Sequence, residues 1–337
     1  MIAGHKGRLT WLVKCLTIPV KMGMKEYIGS KLERGVKLKH RFSFLLLLVC
    51  SLALTVGLMG GVARAEDGFF DSNGVKIYYV TEGEGEPVVL IHGWMADSSM
   101  WGRDEHGNTK LNASAGFKLI AFDCRGHGKS DKPHDRKQYG VELAADVVRL
   151  LDHLHIDKAH LVGYSSGAFI AGKVAASYPE RVLSVVYAGQ APVIFEVMKP
   201  GDFSEVDSFA RAVQSGDLGS YLIDVIPADR PKPTREQAEA IAKYLYGGKD
   251  VEAFAICGQS FPELAVTITD LKKCQAPVLF IRGENESQHV KGKIETAREL
   301  LGHGEIKIIP GGDHITTLTK PEFEAALLDF LRHGQLQ

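Results

Sequence analysis

Cysteine is scarce in this chain, and no pair of cysteines has the spacing of a metal or redox motif. Five cysteines occur in 337 residues without any Cys-x-x-Cys, and Cys15 and Cys50 lie in the N-terminal part that precedes residue 66. The remaining three cannot all pair, which excludes a disulfide-stapled scaffold and a zinc ribbon. We expect Cys124, Cys257 and Cys274 to be small buried thiols, with one optional bridge among them.

The chain as a whole has almost no net charge, but its N-terminal part is basic and the rest is acidic. Net charge is -1, yet residues 1–41 hold ten Lys and Arg against two Asp and Glu, whereas from residue 66 onward 29 Lys and Arg face 39 Asp and Glu. An acidic body cannot replace the counterions along a phosphate backbone, so nucleic acid is not an expected partner. Low-complexity tracts and internal repeats are also missing after residue 65, which excludes a disordered or fibrous protein.

A long uncharged run occurs near the N-terminus. Residues 44–62 carry no charge, follow the basic segment and precede Ala63-Arg64-Ala65. Basic, apolar and small residues in this order predict a signal peptide over 1–65, cleaved after Ala65, and therefore a secreted or periplasmic protein. The alternative is an uncleaved membrane anchor, because nineteen apolar residues can just span about 30 Å of hydrocarbon. The translation start stays open between Met1, Met22 and Met24.

Beyond residue 68, short apolar runs alternate with amphipathic stretches, which is typical of an α/β fold with a mostly parallel, doubly wound sheet. Strands are predicted at 76–80, 88–91, 118–122, 160–162, 183–188, 278–281 and 306–309, and helices at 141–154, 235–246 and 322–331. The alternation stops over 193–274, where helical periodicity and aromatic residues dominate. We interpret 193–274 as a helical cap inserted after the sixth strand, between core segments 66–192 and 275–337.

One motif carries most of the chemical information. Gly163-Tyr164-Ser165-Ser166-Gly167 follows a short apolar strand and precedes a helix of small residues. A serine at such a sharp strand-to-helix turn projects from a strained backbone, and the flanking glycines allow the close backbone approach that the turn requires. The helix N-terminus also stabilises negative charge beside it. The motif therefore predicts Ser165 as a nucleophile.

A serine hydroxyl is a weak nucleophile, so Ser165 needs a base and the base needs an orienting acid. With this motif, the acid follows a later strand and the histidine comes last in the chain. His314 lies in a glycine loop after the last predicted strand, and Glu286 lies just after the strand at 278–281. We predict a Ser165–His314–Glu286 triad. Alternative acids are Asp313, Glu284 and Asp270, although Asp313 is adjacent to His314 and is expected to shape the loop.

From about residue 69 to residue 331 the chain resembles the α/β-hydrolase fold proteins of the single-domain, cap-bearing esterase type. The resemblance rests on the motifs above and on 91–94, 123–130, 283–286 and 312–314. It implies that the backbone N–H groups of Trp94 and Ser166 form an oxyanion hole, and that His92 and His127 are structural. Relatives usually carry Asp where Glu286 stands, and the family tolerates both.

This resemblance implies a serine hydrolase that cleaves a small or moderate, mostly apolar carboxylic ester or lactone through an acyl-enzyme. Serine at position 165, in the strand-to-helix turn, distinguishes the chain from epoxide hydrolases and haloalkane dehalogenases, which carry Asp at that position. Cofactor-free perhydrolases and carbon–carbon bond hydrolases share the triad. A ligand-binding receptor on the same fold, with slow or single turnover, is the alternative of another class.

No cofactor or metal is expected in this protein. Of the histidines, His153, His155 and His160 are close in sequence, but their spacing does not put three ligands on one helix face. The expected partner is therefore a small-molecule ester alone, with membrane contact only through the N-terminal segment if that segment is not cleaved. The oligomeric state is left open.

Overall fold

The computed structural model describes residues 66–102, 116–226 and 231–334. The leader predicted over 1–65, with its cleavage site after Ala65, lies outside these ranges. Within them, no helix combines the length and the apolar character that crossing a bilayer requires.

The described residues form a single sheet of eight strands. These are β1 (Glu66–Ser72), β2 (Val75–Glu82), β3 (Glu86–Ile91), β4 (Phe117–Phe122), β5 (Ala159–Tyr164), β6 (Val182–Ala188), β7 (Val278–Gly283) and β8 (Glu305–Ile309). Their order across the sheet is β1-β2-β4-β3-β5-β6-β7-β8. Strand β2 runs antiparallel to both of its neighbours, and the other pairs are parallel. The sequence predicted β2 to β8 and missed β1.

Helices cover both faces of the sheet. In chain order they are α1 (Val141–His153), α2 (Ser166–Ser177), α3 (Ser204–Ser215), α4 (Leu218–Val225), α5 (Arg235–Tyr246), α6 (Val251–Gln259), the single turn α7 (Ile268–Leu271), α8 (Gln288–Leu301) and α9 (Pro321–His333). The apolar faces of α1, α2 and α8 share one core cluster, and α9 belongs to the cluster on the opposite side. The predicted doubly wound α/β fold, with helices inserted after the sixth strand, is confirmed. The boundaries 193 and 274 stay a prediction.

The central strands are apolar because both of their faces are covered. Every residue of β5 is buried, and β3, β6 and β7 are buried along most of their length. Strands covered on two sides read as continuous Val, Ile and Leu runs instead of alternating patterns. Because β3 and β5 to β8 are parallel, their carboxyl ends meet at one edge, where the loops that carry the predicted site residues lie.

The cap has a small core of its own. Phe209, Tyr221 and Phe254 are buried there, and Trp94 of the main domain packs against them. Tyr244 is 87% exposed and Phe195 is 63% exposed. Some aromatic residues of the cap therefore pack in its own core, and others are exposed to solvent. The three described cysteines are free and buried, as the sequence predicted.

Candidate active site

Ser165 occupies the sharp turn between β5 and α2. Its backbone has φ 54 and ψ -123, a region that a non-glycine residue adopts only under strain. A Cβ at Gly163 would lie 2.2 Å from the Gly167 carbonyl oxygen, and one at Gly167 would lie 2.2 Å from that of Ile91. These two positions therefore accept only glycine. The Ser165 N–H donates to the Ala188 carbonyl at 2.8 Å, which anchors the turn on β6.

The structure brings the three predicted residues into one hydrogen-bonded chain. His314 Nε2 lies 3.0 Å from Ser165 Oγ, and His314 Nδ1 lies 3.1 Å from Glu286 Oε2. A carboxylate only accepts, so the Nδ1–H donates to Glu286 and Nε2 accepts from the serine hydroxyl. Behind the histidine, Tyr164 Oη donates to the His314 carbonyl at 2.8 Å. The residue beside the serine thus also holds the histidine loop.

Glu286 controls the charge of the histidine. Burial lowers the pKa of His314, but the hydrogen bond that its Nδ1–H donates to Glu286 and the negative charge of that carboxylate raise the pKa by more, so the net pKa lies above the ordinary value. The Glu286 side chain is only 2% exposed. Its Oε1 accepts from the Ser287 N–H at 3.1 Å. A buried, hydrogen-bonded carboxylate at this distance stabilises an imidazolium.

The alternative acids are hydrogen-bonded at other positions. Asp313 Oδ1 accepts from the N–H groups of the two residues that follow His314, at 3.0 and 2.8 Å, and so shapes the loop. Glu284 Oε2 accepts from the Gly311 N–H at 2.8 Å. Asp270 lies on α7 and pairs with Lys273 at 2.6 Å. Of the four candidates, Glu286 is the one hydrogen-bonded to His314 Nδ1.

The loop after β3, which carries the predicted oxyanion-hole residue Trp94, packs against the serine. A Cβ added to Gly93 would lie 3.2 Å from Ser165 Cβ, so the loop backbone packs directly against the nucleophile. The Gly93 carbonyl accepts from His92 Nδ1–H at 2.7 Å. No cis peptide occurs in the described part of the chain, so the Trp94 N–H points away from His92, opposite to this carbonyl.

The second predicted donor directly follows Ser165 in the chain. Ser166 is the first residue of α2, and the first N–H groups of a helix have no intrahelical acceptor. The two predicted oxyanion-hole residues, Trp94 and Ser166, therefore lie on separate elements, Trp94 directly after the loop residue that contacts Ser165 and Ser166 directly after Ser165 itself. The trans peptide between Gly93 and Trp94 orients the Trp94 N–H, and the start of α2 orients the Ser166 N–H.

His127 supports the loop after β3 as a neutral acceptor. Its Nδ1–H donates to the Arg125 carbonyl at 3.1 Å, and its Nε2 accepts from the Met95 N–H at 3.2 Å. Burial, with a further contribution from His92, lowers the pKa of His127 to about 3. Met95 has φ 63, so this hydrogen bond holds a strained residue. The resemblance implied a structural His127, but no sequence pattern indicated its acceptor role.

The Trp94 ring packs against the cap and is hydrogen-bonded to it. Its Nε1–H donates to the Phe254 carbonyl of α6 at 2.8 Å. The ring also packs edge-on against Phe209 and Phe261, with centroids 5.2 and 5.9 Å away. This contact was not predicted, because a hydrogen bond spanning 160 positions leaves no local pattern in the sequence.

A buried ion pair holds the turn after β4. Arg125 donates to both carboxylate oxygens of Asp146 on α1, at 2.7 and 2.6 Å, and both side chains are fully buried. A third donation, to the Gln138 carbonyl, connects the turn after β4 to the start of α1. The pair fixes the turn that carries His127.

Metal-binding geometry is absent from the described ranges, in which no group of three His, Cys, Asp or Glu side chains could hold an ion. Of the clustered histidines, His153 Nε2 lies 3.2 Å from Tyr79 Oη, and His160 Nδ1 lies 2.7 Å from Ser184 Oγ. These two rings have separate packing partners and do not converge.

Comparison with known proteins gives the family. Residues 86–231 match the sequence profile of the alpha/beta hydrolase fold. The non-heme chloroperoxidase of Streptomyces lividans is 30% identical over 267 residues, which cover 74% of this chain and 94% of that protein. A carboxylesterase structure from the thaumarchaeon Nitrososphaera gargenis has a TM-score of 0.66 at 23% identity, covering 79% of this chain and 98% of that one. The structure of Est816, an N-acyl homoserine lactone degrading enzyme, has a TM-score of 0.60 at 26% identity, covering 78% and 100%. The chain therefore belongs to the α/β-hydrolase fold family of enzymes.

Proposed function

We propose that this protein is a serine hydrolase that cleaves carboxylic esters through an acyl-enzyme. One observation carries the proposal: Ser165 Oγ, the His314 ring and the Glu286 carboxylate form a continuous hydrogen-bonded chain with distances of 3.0 and 3.1 Å. This is the arrangement that activates a serine hydroxyl for acyl transfer.

In the first half-reaction, Ser165 Oγ attacks the ester carbonyl carbon while its proton passes to His314 Nε2. Glu286 holds Nδ1–H and stabilises the imidazolium that forms. The N–H groups of Trp94 and Ser166 donate to the negative oxygen of the tetrahedral intermediate. As the intermediate collapses, the ester C–O bond breaks and the imidazolium returns the proton to the departing alcohol.

In the second half-reaction, water takes the place of the alcohol. His314 removes one proton from water, whose oxygen attacks the acyl carbon. The second tetrahedral intermediate then expels Ser165 Oγ, which takes the proton back from the imidazolium. The products are a carboxylic acid and the free enzyme, and the steps use only the protein's own groups and water.

Two relatives define the nearest alternatives. Similarity to the lactone-degrading Est816 supports a lactone as an alternative substrate, since a lactone is a cyclic ester. Similarity to a non-heme chloroperoxidase supports perhydrolysis, in which hydrogen peroxide replaces water and releases a peracid. One panel of p-nitrophenyl esters and lactones, measured with and without hydrogen peroxide, ranks the three activities.

Burst kinetics tests the proposal against a ligand-binding receptor on the same fold. Mixed with p-nitrophenyl acetate, an esterase releases many equivalents of p-nitrophenol for each protein molecule. A receptor with an intact triad releases about one equivalent and stops. Ser165→Ala is the matched control and should remove both phases, so release that persists in this variant would contradict the proposal.

We further propose that the protein is exported with residues 1–65 removed, so that it acts in the periplasm or outside the cell. The support is the order of basic, apolar and small residues before Glu66. Mass spectrometry of the exported protein should give Glu66 as the first residue. An intact chain in the membrane fraction would replace this proposal with the anchored form.

A further inference from the structure

The first half of α3, with the residue before it, packs on two elements that adjoin the nucleophile. Phe203, just before the helix, packs edge-on against Phe169 of α2, with ring centroids 6.1 Å apart. Phe209, two turns later, packs edge-on against Trp94 at 5.2 Å. Phe169 is on the helix that begins just after the serine, and Trp94 is on the loop that packs against it. The residues between Phe203 and Phe209 therefore bridge the two walls of the site.

Glu205 is an acidic residue on this bridge. It stands four positions before Phe209, so both side chains lie on the same side of α3. Tyr221 Oη donates to Glu205 Oε1 at 3.0 Å. The tyrosine is itself buried and packs edge-on against Phe209 at 5.0 Å, whereas Glu205 is exposed. A buried phenol thus fixes an accessible carboxylate at the edge of the site.

The charges near the base are also negative. Burial lowers the pKa of His314, and the three charges that raise it most are the carboxylates of Glu286, Glu205 and Asp313. Near the start of α3, the ammonium group of Lys293 on α8 is paired with Asp202. The local potential therefore favours a cation over an anion.

We propose that Glu205 is a specificity-determining residue that favours esters with a positively charged group under the cap and disfavours esters with a carboxylate or phosphate there. This inference rests on the proposed esterase function. The phenol of Tyr221 holds the Glu205 carboxylate in place before substrate arrives, so little side-chain entropy is lost on binding. A substrate ammonium brought near that carboxylate gains an attraction that an uncharged isostere lacks.

The test compares two esters of nearly equal shape, acetylcholine and its uncharged carbon analogue 3,3-dimethylbutyl acetate. For the wild-type protein, kcat/KM should favour acetylcholine by about fivefold at low salt, the size of a partly exposed charge pair. The preference should shrink as sodium chloride is added, because salt screens such pairs. In Glu205→Gln the ratio of the two kcat/KM values should fall to about one.

Asp207→Asn is the matched control, because Asp207 is an exposed acid in the same first turn of α3 and its loss changes the net charge equally. Its substrate ratio should stay at the wild-type value. A ratio that survives in Glu205→Gln, or that falls equally in both variants, would overturn the inference.

A binding measurement separates failure of this inference from failure of the proposed function. Isothermal titration of choline and of 3,3-dimethylbutanol requires no turnover. Tighter binding of choline that is lost in Glu205→Gln and kept in Asp207→Asn supports the inference even if no ester is hydrolysed. Equal binding of the two alcohols by the wild-type protein counts against it. Absence of hydrolysis of the uncharged ester counts against the esterase proposal.

Discussion

Replacing Glu286 with glutamine should remove most of the catalytic power while leaving the site's shape. At 3.1 Å, an effective dielectric constant of about 20 gives roughly 5 kcal/mol of attraction between the Glu286 carboxylate and an imidazolium on His314. The His314 side chain is 37% exposed, so solvent screens part of this attraction. A loss of about 4 kcal/mol corresponds to a fall of roughly 10³-fold in kcat.

The loss should appear in kcat and not in KM, because the imidazolium forms only as the reaction proceeds. The assay is steady-state hydrolysis of p-nitrophenyl acetate at pH 8, with thermal melts to confirm that the variant folds. Glutamine keeps an oxygen that can accept the Nδ1–H, so the fall in kcat would report the lost charge and not a lost hydrogen bond.

Asp313→Asn is the control for this experiment. Its Oδ1 accepts backbone N–H groups, which an asparagine oxygen also accepts, so the change in kcat should be less than about fivefold. A severe Asp313→Asn effect together with a mild Glu286→Gln effect would refute the assignment. Mild effects in both variants would point to a different acid.

Three further outcomes follow from the same geometry. Ser165→Ala should reduce ester hydrolysis by at least about 10³-fold with little change in melting temperature, and a variant that keeps a tenth of the activity would contradict the nucleophile. The kcat/KM profile should rise with pH through a value above 6.5, since the base must be neutral and Glu286 raises the pKa of His314; a rise centred well below 6.5 would contradict this. Arg125→Met should lower the free energy of unfolding by about 3–5 kcal/mol, because Asp146 is left buried without its partner. In urea titrations, adding Asp146→Leu should restore most of that loss, and no recovery would contradict the ion-pair argument.

Features set by neighbouring residues were predictable from the sequence. The turn at Ser165 requires glycine on both sides. Glu286 follows a strand with a clear apolar run, and His314 follows the isoleucine-rich strand β8. These signals lie within a few residues of the group that they position. The fold class followed for the same reason, because strands buried on both faces need long apolar runs.

Features set by contacts between distant segments were not predictable. Strand β1 was missed because five of its seven residues, Glu-Asp-Gly-Phe-Phe-Asp-Ser, are acidic or small. An edge strand with one pairing partner needs few apolar residues. One available signal was Asn73-Gly74, whose φ angles of 57 and 81 make the two-residue hairpin turn into β2. The tyrosine that holds Glu205 and the cap contact of Trp94 depend on helix packing, which a single sequence does not encode locally.

The hydrogen bond from Trp94 to the Phe254 carbonyl limits how this enzyme can be re-engineered. The cap is an obvious place to graft a different helical segment and so change the substrate range. Yet the same tryptophan directly follows Gly93, whose backbone packs against Ser165, and its indole N–H is hydrogen-bonded to α6. A graft that lacks a carbonyl at that point would leave the indole without an acceptor and loosen the loop. Cap exchange therefore has to preserve the backbone of α6, or turnover will fall along with the intended change in selectivity.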